Sequence, residues 1–217
     1  MTRKTYTGEE IDVTFDLKQC IHTGRCTRGL PEVFDTKKRP WIQIGESEAQ
    51  QILDVVGQCP SGALRVQNKD GSEAEQAEGQ NTVRIIANGP LYVRGNLQLA
   101  PPRGEEGEPS QAFRLALCRC GASENKPFCD NSHRDIEFTA SGKLPQEVQE
   151  DEQSTSGGLA IKAIPNGPLI LAGEFELLDE EGHSLFQSGK AVLCRCGASM
   201  NKPFCDSTHK SINFEAP

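Results

Sequence analysis

The sequence is poor in the residues that build a large apolar core. Only 35% of its 217 residues are hydrophobic and 6% are aromatic, and tryptophan occurs once. Small domains often need a metal or a disulfide to offset the entropy of the chain. We therefore expect small domains, and we expect the nine cysteines to hold metal centres that contribute to folding.

Long hydrophobic runs are also missing. No stretch approaches about eighteen apolar residues and no basic start precedes an apolar segment, so we predict neither a membrane span nor a signal peptide. The odd number of cysteines argues against disulfides and favours a reducing, cytoplasmic location, where clustered cysteines hold metal. The net charge of −8 disfavours nucleic acid or an anionic membrane as a partner.

One pattern of cysteines and histidine occurs twice. Residues 117–130 match residues 193–206 at thirteen of fourteen positions, with Glu124 against Met200 as the one difference. We call residues 117–133 cradle 1 and residues 193–209 cradle 2. Their candidate metal ligands are Cys118, Cys120, Cys129 and His133 in cradle 1, and Cys194, Cys196, Cys205 and His209 in cradle 2.

The ligand types narrow the choice of metal. Soft thiolates with one imidazole suit zinc or an iron–sulfur cluster. Cys129 and His133 are four residues apart, which predicts that they share one face of a helix, and Asp130 is placed to cap its start. Cys118 and Cys120 alternate along an extended or looped segment.

Both cradles resemble the CDGSH iron–sulfur domain of the mitoNEET-like family. Its pattern is met by the eight ligands and also by Ser123, Pro127, Asp130, Ser132, Ser199, Pro203, Asp206 and Thr208. The family's glycine is replaced by Asn131 and Ser207. Because serine tolerates left-handed backbone poorly, Ser207 raises the question whether this position needs a positive φ. The resemblance covers about residues 82–140 and 159–214.

This resemblance implies one [2Fe-2S] cluster in each cradle, with Cys118 and Cys120 on one iron and Cys129 and His133 on the other. A neutral imidazole in place of a thiolate raises the reduction potential, and its protonation makes the cluster acid-labile. The family also implies that the two repeats pack as an intramolecular pseudo-dimer in a monomeric chain. The alternative is a pair of structural zinc sites with three Cys and one His.

The first part of the chain holds the other three cysteines, Cys20, Cys26 and Cys59. Their spacing and the Cys59-Pro60 pair resemble a divergent single-cluster ferredoxin domain, with Thr23 where a second cysteine would stand. Three thiolates suit [3Fe-4S], whereas [4Fe-4S] needs a fourth ligand such as His22 or solvent. Alternatively, the three cysteines are simply buried.

Local signals in this part predict strands at 11–17 and 40–44. The Ser47-x-x-Gln50 pattern predicts a capping box that begins a helix, and the helix should end at Gly57. Its apolar stripe consists of Ile52, Val55 and Val56.

The predicted fold class is α+β. A small ferredoxin-like domain (1–66) and a polar linker (67–80) precede a first, mainly antiparallel-β CDGSH domain (81–144); a second linker (145–158) precedes the duplicate (159–217). Each duplicate should form strands around an Asn-Gly-Pro turn. The segments 101–110 and 179–189 are predicted to be acidic loops.

No nucleophile and base pair, phosphate loop or dinucleotide fingerprint is present, so we do not expect an enzyme. The leading functional hypothesis is electron transfer to a basic redox partner. The alternatives are a cluster store, a cluster donor to an acceptor protein or a redox or pH sensor, and a structural zinc-bound interaction module. His183 is assigned no role. Lys126 and Lys202 lie beside the cradles in the sequence, and of two interpretations, tuning of the cluster charge or simple solvation, we predict solvation.

Overall fold

A computed structural model describes residues 3–101, 107–144 and 157–217. The chain divides into two compact units, Met1–Gln76 and Ala77–Pro217. The boundary lies inside the predicted linker 67–80. The predicted linker 145–158 falls almost entirely outside the described residues. None of the helices in the described part of the chain is long and apolar enough to cross a membrane.

Unit 1 contains a three-stranded antiparallel sheet of order β1-β2-β3 with two α-helices. Its elements are β1 (Lys4–Thr7), β2 (Ile11–Phe15), α1 (Arg25–Gly29), α2 (Ala49–Gly57) and β3 (Leu64–Asn68), with 3-10 turns at Leu17–Gln19 and Ile44–Glu46. One sequence-based boundary changes, the one between the first domain and the linker 67–80. β3 continues to Asn68, and the Ala74 N–H donates to the Val66 carbonyl at 3.1 Å. The start of the predicted linker therefore belongs to unit 1.

Helix α2 lies close to its predicted position. It ends at Gly57 and buries Ile52, Val55 and Val56, as the apolar stripe predicts. Its capping box is formed by Glu48 and Gln51 rather than by Ser47 and Gln50. A single antiparallel bridge from Ile42 to Phe34 replaces the strand predicted at 40–44.

Unit 2 consists mainly of strands. Its elements are β4 (Thr82–Ile85), β5 (Leu91–Leu99), β6 (Ser110–Leu117), α3 (Ser132–Asp135), β7 (Leu159–Ala163), β8 (Leu169–Leu178) and β9 (Ser184–Leu193), with a 3-10 turn at Thr208–Lys210. In each repeat the long middle strand pairs antiparallel with the strands before and after it. The predicted loop 179–189 is wrong in its second half, because β9 begins at Ser184.

The short strands connect the two repeats. β4 pairs in parallel with β8, and β7 pairs in parallel with β5. On one edge of β5, residues 91–94 bind β4 and residues 97–99 bind β7. Gly95 (φ 132°) lies at this switch, and Gly173 (φ 121°) lies at the equivalent switch of β8. Residues from both repeats form one apolar cluster between them.

Candidate metal centres

The end of strand β6 presents the first two cysteines of cradle 1. The Cys118 N–H donates to the Pro127 carbonyl at 2.9 Å, and the Cys129 N–H donates to the Ala116 carbonyl at 2.8 Å. Phe128 forms an antiparallel bridge with Leu117. The returning segment therefore pairs with the strand end, and this pairing brings Cys129 beside Cys118.

Cradle 2 is built in the same way. The Cys194 N–H donates to the Pro203 carbonyl at 2.8 Å, and the Cys205 N–H donates to the Val192 carbonyl at 2.9 Å. The shared sequence thus gives the same backbone pairing in both repeats.

The donors of each cradle form two close pairs. In cradle 1 the Sγ atoms of Cys118 and Cys120 lie 3.6 Å apart, and Cys129 Sγ lies 3.6 Å from His133 Nδ1. In cradle 2 the corresponding distances are 3.8 Å and 3.4 Å. A tetrahedral ion with metal–sulfur bonds of about 2.3 Å and metal–nitrogen bonds of about 2.0–2.1 Å holds two sulfurs about 3.8 Å apart, and a sulfur and a nitrogen about 3.6 Å apart. Each pair therefore fits one metal ion.

The two pairs of one cradle do not close around a single ion. Among the described residues, three side chains whose ligand atoms all lie within 4.8 Å of one another occur outside the cradles, at Asp179, Glu181 and His183. No three of the cradle donors meet this distance. Each cradle therefore offers two separate two-ligand positions.

An Asx turn holds the last two ligands together. Asp130 Oδ1 accepts the Ser132 N–H at 3.0 Å and its Oδ2 accepts the Glu124 N–H at 2.8 Å. Helix α3 begins only at Ser132, so Cys129 precedes the helix instead of sharing its face with His133. The residue between, Asn131, has φ 77°.

The serine that replaces the family's glycine in cradle 2 adopts a left-handed backbone. Ser207 has φ 70°, so this position is left-handed in both copies despite the missing glycine. The Ser207 N–H donates to Cys205 Sγ at 3.4 Å, as the Asn131 N–H does to Cys129 Sγ. The left-handed turn thus directs a backbone donor at a ligand sulfur.

Burial and the close contacts change the acidity of the ligands. The contact between the two sulfurs lowers the pKa of the Cys118 thiol and raises the pKa of the Cys120 thiol. Burial raises the pKa of Cys129 to about 11 and lowers the pKa of His133. The histidine thus favours the neutral form that binds metal, whereas metal binding at Cys129 must release a proton.

Two buried arginines support the cradles, and the sequence analysis did not single them out. Arg119 is 1% exposed and donates to three backbone carbonyls, those of Gly89, Ser141 and Ile86, at 3.0, 3.0 and 2.6 Å. Arg195 makes the equivalent bonds to Gly167, Pro217 and Ile164. The repeated Cys-Arg-Cys triplet was the available signal.

The three cysteines of unit 1 line one cavity of about 530 Å³. Cys20, Cys26 and Cys59 share its wall with Thr23 and His22. No three of these donors lie within 4.8 Å of one another, so the cavity does not present them to a single ion. The cations Lys4, Arg25 and Arg39 also line the cavity, whereas none of its lining residues is a carboxylate.

His22 lies at the exposed side of this cavity. Its Nδ1 is 3.8 Å from Cys20 Sγ, and its φ is 49°. Burial raises the pKa of Cys20 and of Cys26. These thiols therefore also release protons when they bind metal.

Two predictions about side chains outside the ligand sets have different outcomes. His183 Nδ1 lies 3.0 Å from Asp179 Oδ2 in an exposed turn, and this contact gives the histidine no role in the cradles. Lys126 and Lys202 are only partly exposed, and each amino group lies over a phenylalanine ring of the other repeat. The prediction that these lysines are simply solvated is wrong.

Comparison with known proteins finds two protein families. A family model described as a divergent 4Fe-4S mono-cluster matches residues 6–69. A model described as an iron-binding zinc finger of CDGSH type matches residues 88–134 and again residues 166–210. All eight cradle ligands and all three cysteines of unit 1 lie inside these ranges. The matches confirm both resemblances that the sequence predicts.

Curated relatives resemble the first part of the chain. The proteins called uncharacterized protein YjdI from Escherichia coli strain K12 and from Escherichia coli O157:H7 are each 42% identical to this chain over 66 residues. The alignment covers 30% of this chain and 87% of each relative.

Proposed function

Because this chain belongs, through its first unit, to the divergent 4Fe-4S mono-cluster family and carries two copies of the CDGSH iron-binding domain, we propose that it transfers electrons between iron–sulfur clusters and a partner protein. Each cradle holds one [2Fe-2S] cluster, and unit 1 holds one [3Fe-4S] or [4Fe-4S] cluster. When bound, each cluster accepts and releases one electron.

One observation carries the assignment of the cradles. The four donors of cradle 1 separate into the pair Cys118 and Cys120 and the pair Cys129 and His133, each spaced for one tetrahedral ion. A single zinc ion needs all four donors within about 4 Å of one another, and no three of them lie within 4.8 Å. Two irons bridged by sulfide fit this division, and a mononuclear zinc site does not.

The surrounding residues adjust the charge of the bound centre. The Asn131 N–H directed at Cys129 Sγ stabilises negative charge on the ligand and so raises the reduction potential. The neutral His133 acts in the same direction because it replaces an anionic thiolate. Both effects occur again in cradle 2.

The cavity of unit 1 supports a cluster with three protein ligands. Cys20, Cys26 and Cys59 supply three thiolates, and the cationic lining offsets their negative charge. His22 Nδ1 lies 3.8 Å from Cys20 Sγ, a separation suited to two ligands on one ion. In a cubane cluster each iron takes one protein ligand, so Cys20 and His22 would have to bind different irons. Their close spacing suits binding to the same iron, and His22 in this position therefore does not ligate a fourth iron. A fourth ligand, where the cluster has four irons, then comes from solvent.

The two repeats form an internal pseudo-twofold pair in a monomeric chain. The reciprocal parallel pairings of β4 with β8 and of β5 with β7 support this proposal. Strands β4 and β5 of repeat 1 correspond to β7 and β8 of repeat 2, so a twofold rotation that superimposes the repeats converts one pairing into the other. A sedimentation mass near 23.7 kDa is the expected result. A mass of twice that value contradicts the proposal.

The partner is a basic redox protein in the cytoplasm, and the chain itself is not an enzyme. The net charge of −8 favours docking to a surface of opposite charge. Because such docking is electrostatic, the rate of electron transfer should fall as ionic strength rises. A rate that does not depend on salt contradicts an electrostatic partner.

Transfer of a whole cluster to an acceptor protein is the second candidate. The ligands of cradle 2 are the more accessible set, since Cys205 and His209 are partly exposed whereas Cys129 and His133 are buried. Met200, in the loop of the same cradle, is 90% exposed. An acceptor could therefore reach cradle 2 first.

Two experiments test these functions. Iron and acid-labile sulfide assays on freshly purified protein should find both elements, and finding zinc without sulfide contradicts the cluster assignment. Anaerobic mixing with an apo-ferredoxin then separates the candidates. Electron transfer predicts visible absorption that bleaches on reduction and stays with this protein, whereas cluster transfer predicts that the absorption moves to the acceptor.

A further inference from the structure

Two phenylalanine rings each lie close to one cation from each repeat. The ring of Phe138 has the Arg119 guanidinium 5.6 Å from its centroid and the Lys202 amino group of the other repeat at 6.0 Å. The ring of Phe214 has Arg195 at 5.6 Å and Lys126 of the other repeat at 5.8 Å. Cations at this distance from an aromatic face are attracted by its negative potential.

Each ring is connected to a ligand histidine of its own repeat. The Phe138 N–H donates to the His133 carbonyl at 2.9 Å, and the Phe214 N–H donates to the His209 carbonyl at 3.0 Å. Because these hydrogen bonds join the two backbones, the position of each phenylalanine restrains the backbone that carries the histidine.

Each lysine is hydrogen-bonded within its own cradle, which is the cradle of the repeat opposite the ring that it covers. The Lys202 amino group donates to the Ser199 carbonyl at 2.5 Å, and the Ser199 hydroxyl donates to the Phe204 carbonyl at 2.7 Å. Phe204 directly precedes Cys205. A continuous set of contacts thus leads from His133 in cradle 1 through Phe138 and Lys202 into cradle 2, and Lys126 with Phe214 repeats it in the other direction.

We propose that Phe138 and Lys202 are positioning residues for His133, and that Phe214 and Lys126 are positioning residues for His209, so that each cradle retains its cluster with help from the opposite repeat. This inference rests on the proposed [2Fe-2S] clusters. It adds to them a coupling between the two sites, which predicts that loss of one cluster promotes loss of the other.

The test needs a separate signal from each cluster. In the full-length His209→Cys variant, four thiolates ligate cluster 2 and protect it against acid, so bleaching of visible absorption at mildly acidic pH reports cluster 1. The His133→Cys variant reports cluster 2 in the same way. The difference in absorption between thiolate and imidazole ligation identifies which cluster remains.

In the His209→Cys background we expect Lys202→Met to speed the acid loss of cluster 1 about fivefold, as for a partly desolvated cation–π contact. Lys202→Arg, which keeps a cation over the ring, should restore much of the retention. Lys162→Met is the matched control, because Lys162 is exposed on β7 and its substitution removes the same charge without removing a lysine that lies over either ring.

The reciprocal variant tests the other direction. In the His133→Cys background, Lys126→Met should speed the loss of cluster 2, although Lys126 belongs to repeat 1, because Lys126 lies over the ring of Phe214. In the His209→Cys background, which reports cluster 1, the combined Phe138→Leu and Lys202→Met variant should lose cluster 1 little faster than either single variant, because both substitutions remove the same contact.

The outcomes separate this inference from the proposed function. Protein without iron and sulfide overturns both. Two intact clusters whose loss responds only to substitutions in their own repeat overturn the coupling and leave the proposed function standing. Equal effects of Lys202→Met and Lys162→Met also overturn the coupling, because they show that net charge alone determines retention.

Discussion

Gly121 lies against the backbone carbonyl of Cys196, at a distance that leaves no room for a Cβ atom. A Cβ built on Gly121 comes well under 3.0 Å from the Cys196 carbonyl oxygen, closer than real Cβ atoms approach other heavy atoms. Gly197 has the same relation to Cys120. The backbones of the two Cys-Arg-Cys loops are therefore in contact, and each glycine packs against a ligand cysteine of the other repeat.

The first prediction concerns this contact. Gly121→Ala should destabilise unit 2 by more than about 2 kcal/mol, because a left-handed alanine costs about 1–2 kcal/mol and the new Cβ must also displace backbone. Thermal unfolding followed by circular dichroism measures the effect. Gly71→Ala is the control, since Gly71 has φ +83° but no atom within 4 Å of the built Cβ. Equal destabilisation by both variants would show that the loop contact contributes nothing.

The second prediction concerns the ligand histidines. His133→Cys should lower the reduction potential of cluster 1 and make it more resistant to acid, because a thiolate adds negative charge and removes the imidazole whose protonation competes with iron. Potentiometric titration followed by electron paramagnetic resonance measures the potential, and absorption measures acid bleaching. His183→Cys is the control, since His183 lies in the exposed turn beside Asp179. Unchanged bleaching in both His133→Cys and His209→Cys contradicts the ligand assignment.

The third prediction concerns the first cluster. Thr23 stands where a ferredoxin has its second cysteine and lines the cavity with the three thiols. Thr23→Cys should supply a fourth thiolate and fix four irons in unit 1, which iron analysis and electron paramagnetic resonance of the oxidised and reduced protein can measure. Thr27→Cys adds a thiol to the same cavity outside the ferredoxin spacing and should not do so. A three-iron cluster that persists in Thr23→Cys contradicts the predicted geometry.

The fourth prediction concerns the buried guanidinium groups. Arg119→Lys should destabilise unit 2 by about 3 kcal/mol, since a lysine cannot reproduce the planar fork that donates to three carbonyls and each buried carbonyl left unpaired costs about 1–3 kcal/mol. Chemical denaturation of the full chain measures the loss. Arg195→Lys should match it, because Arg195 makes the equivalent bonds. A stable Arg119→Lys variant shows that these bonds contribute little.

Local sequence signals predicted local features best. The α2 stripe of Ile52, Val55 and Val56 is buried as its spacing predicts, because a helical period depends only on neighbouring residues. The predicted capping box was one residue out of register, because Glu48 and Gln51 form it in place of Ser47 and Gln50. The loop predicted at 179–189 was wrong from Ser184 onward, where the chain pairs with β8 through backbone hydrogen bonds. The acidic residues before Ser184 suggested a loop, but they do not show where pairing with a distant strand begins.

The sequence by itself determined the chemistry of this protein. Ligand type and spacing are local properties, so eight cysteines and histidines in two copies of one pattern, with three more cysteines before them, were enough to indicate iron–sulfur binding. Only the tertiary structure decided how the copies meet. The crossed strand pairings, the contact of Gly121 with Cys196 and the lysine over the opposite ring join residues 62 to 94 positions apart in the sequence. Such contacts depend on packing and backbone hydrogen bonds that no short stretch of sequence encodes.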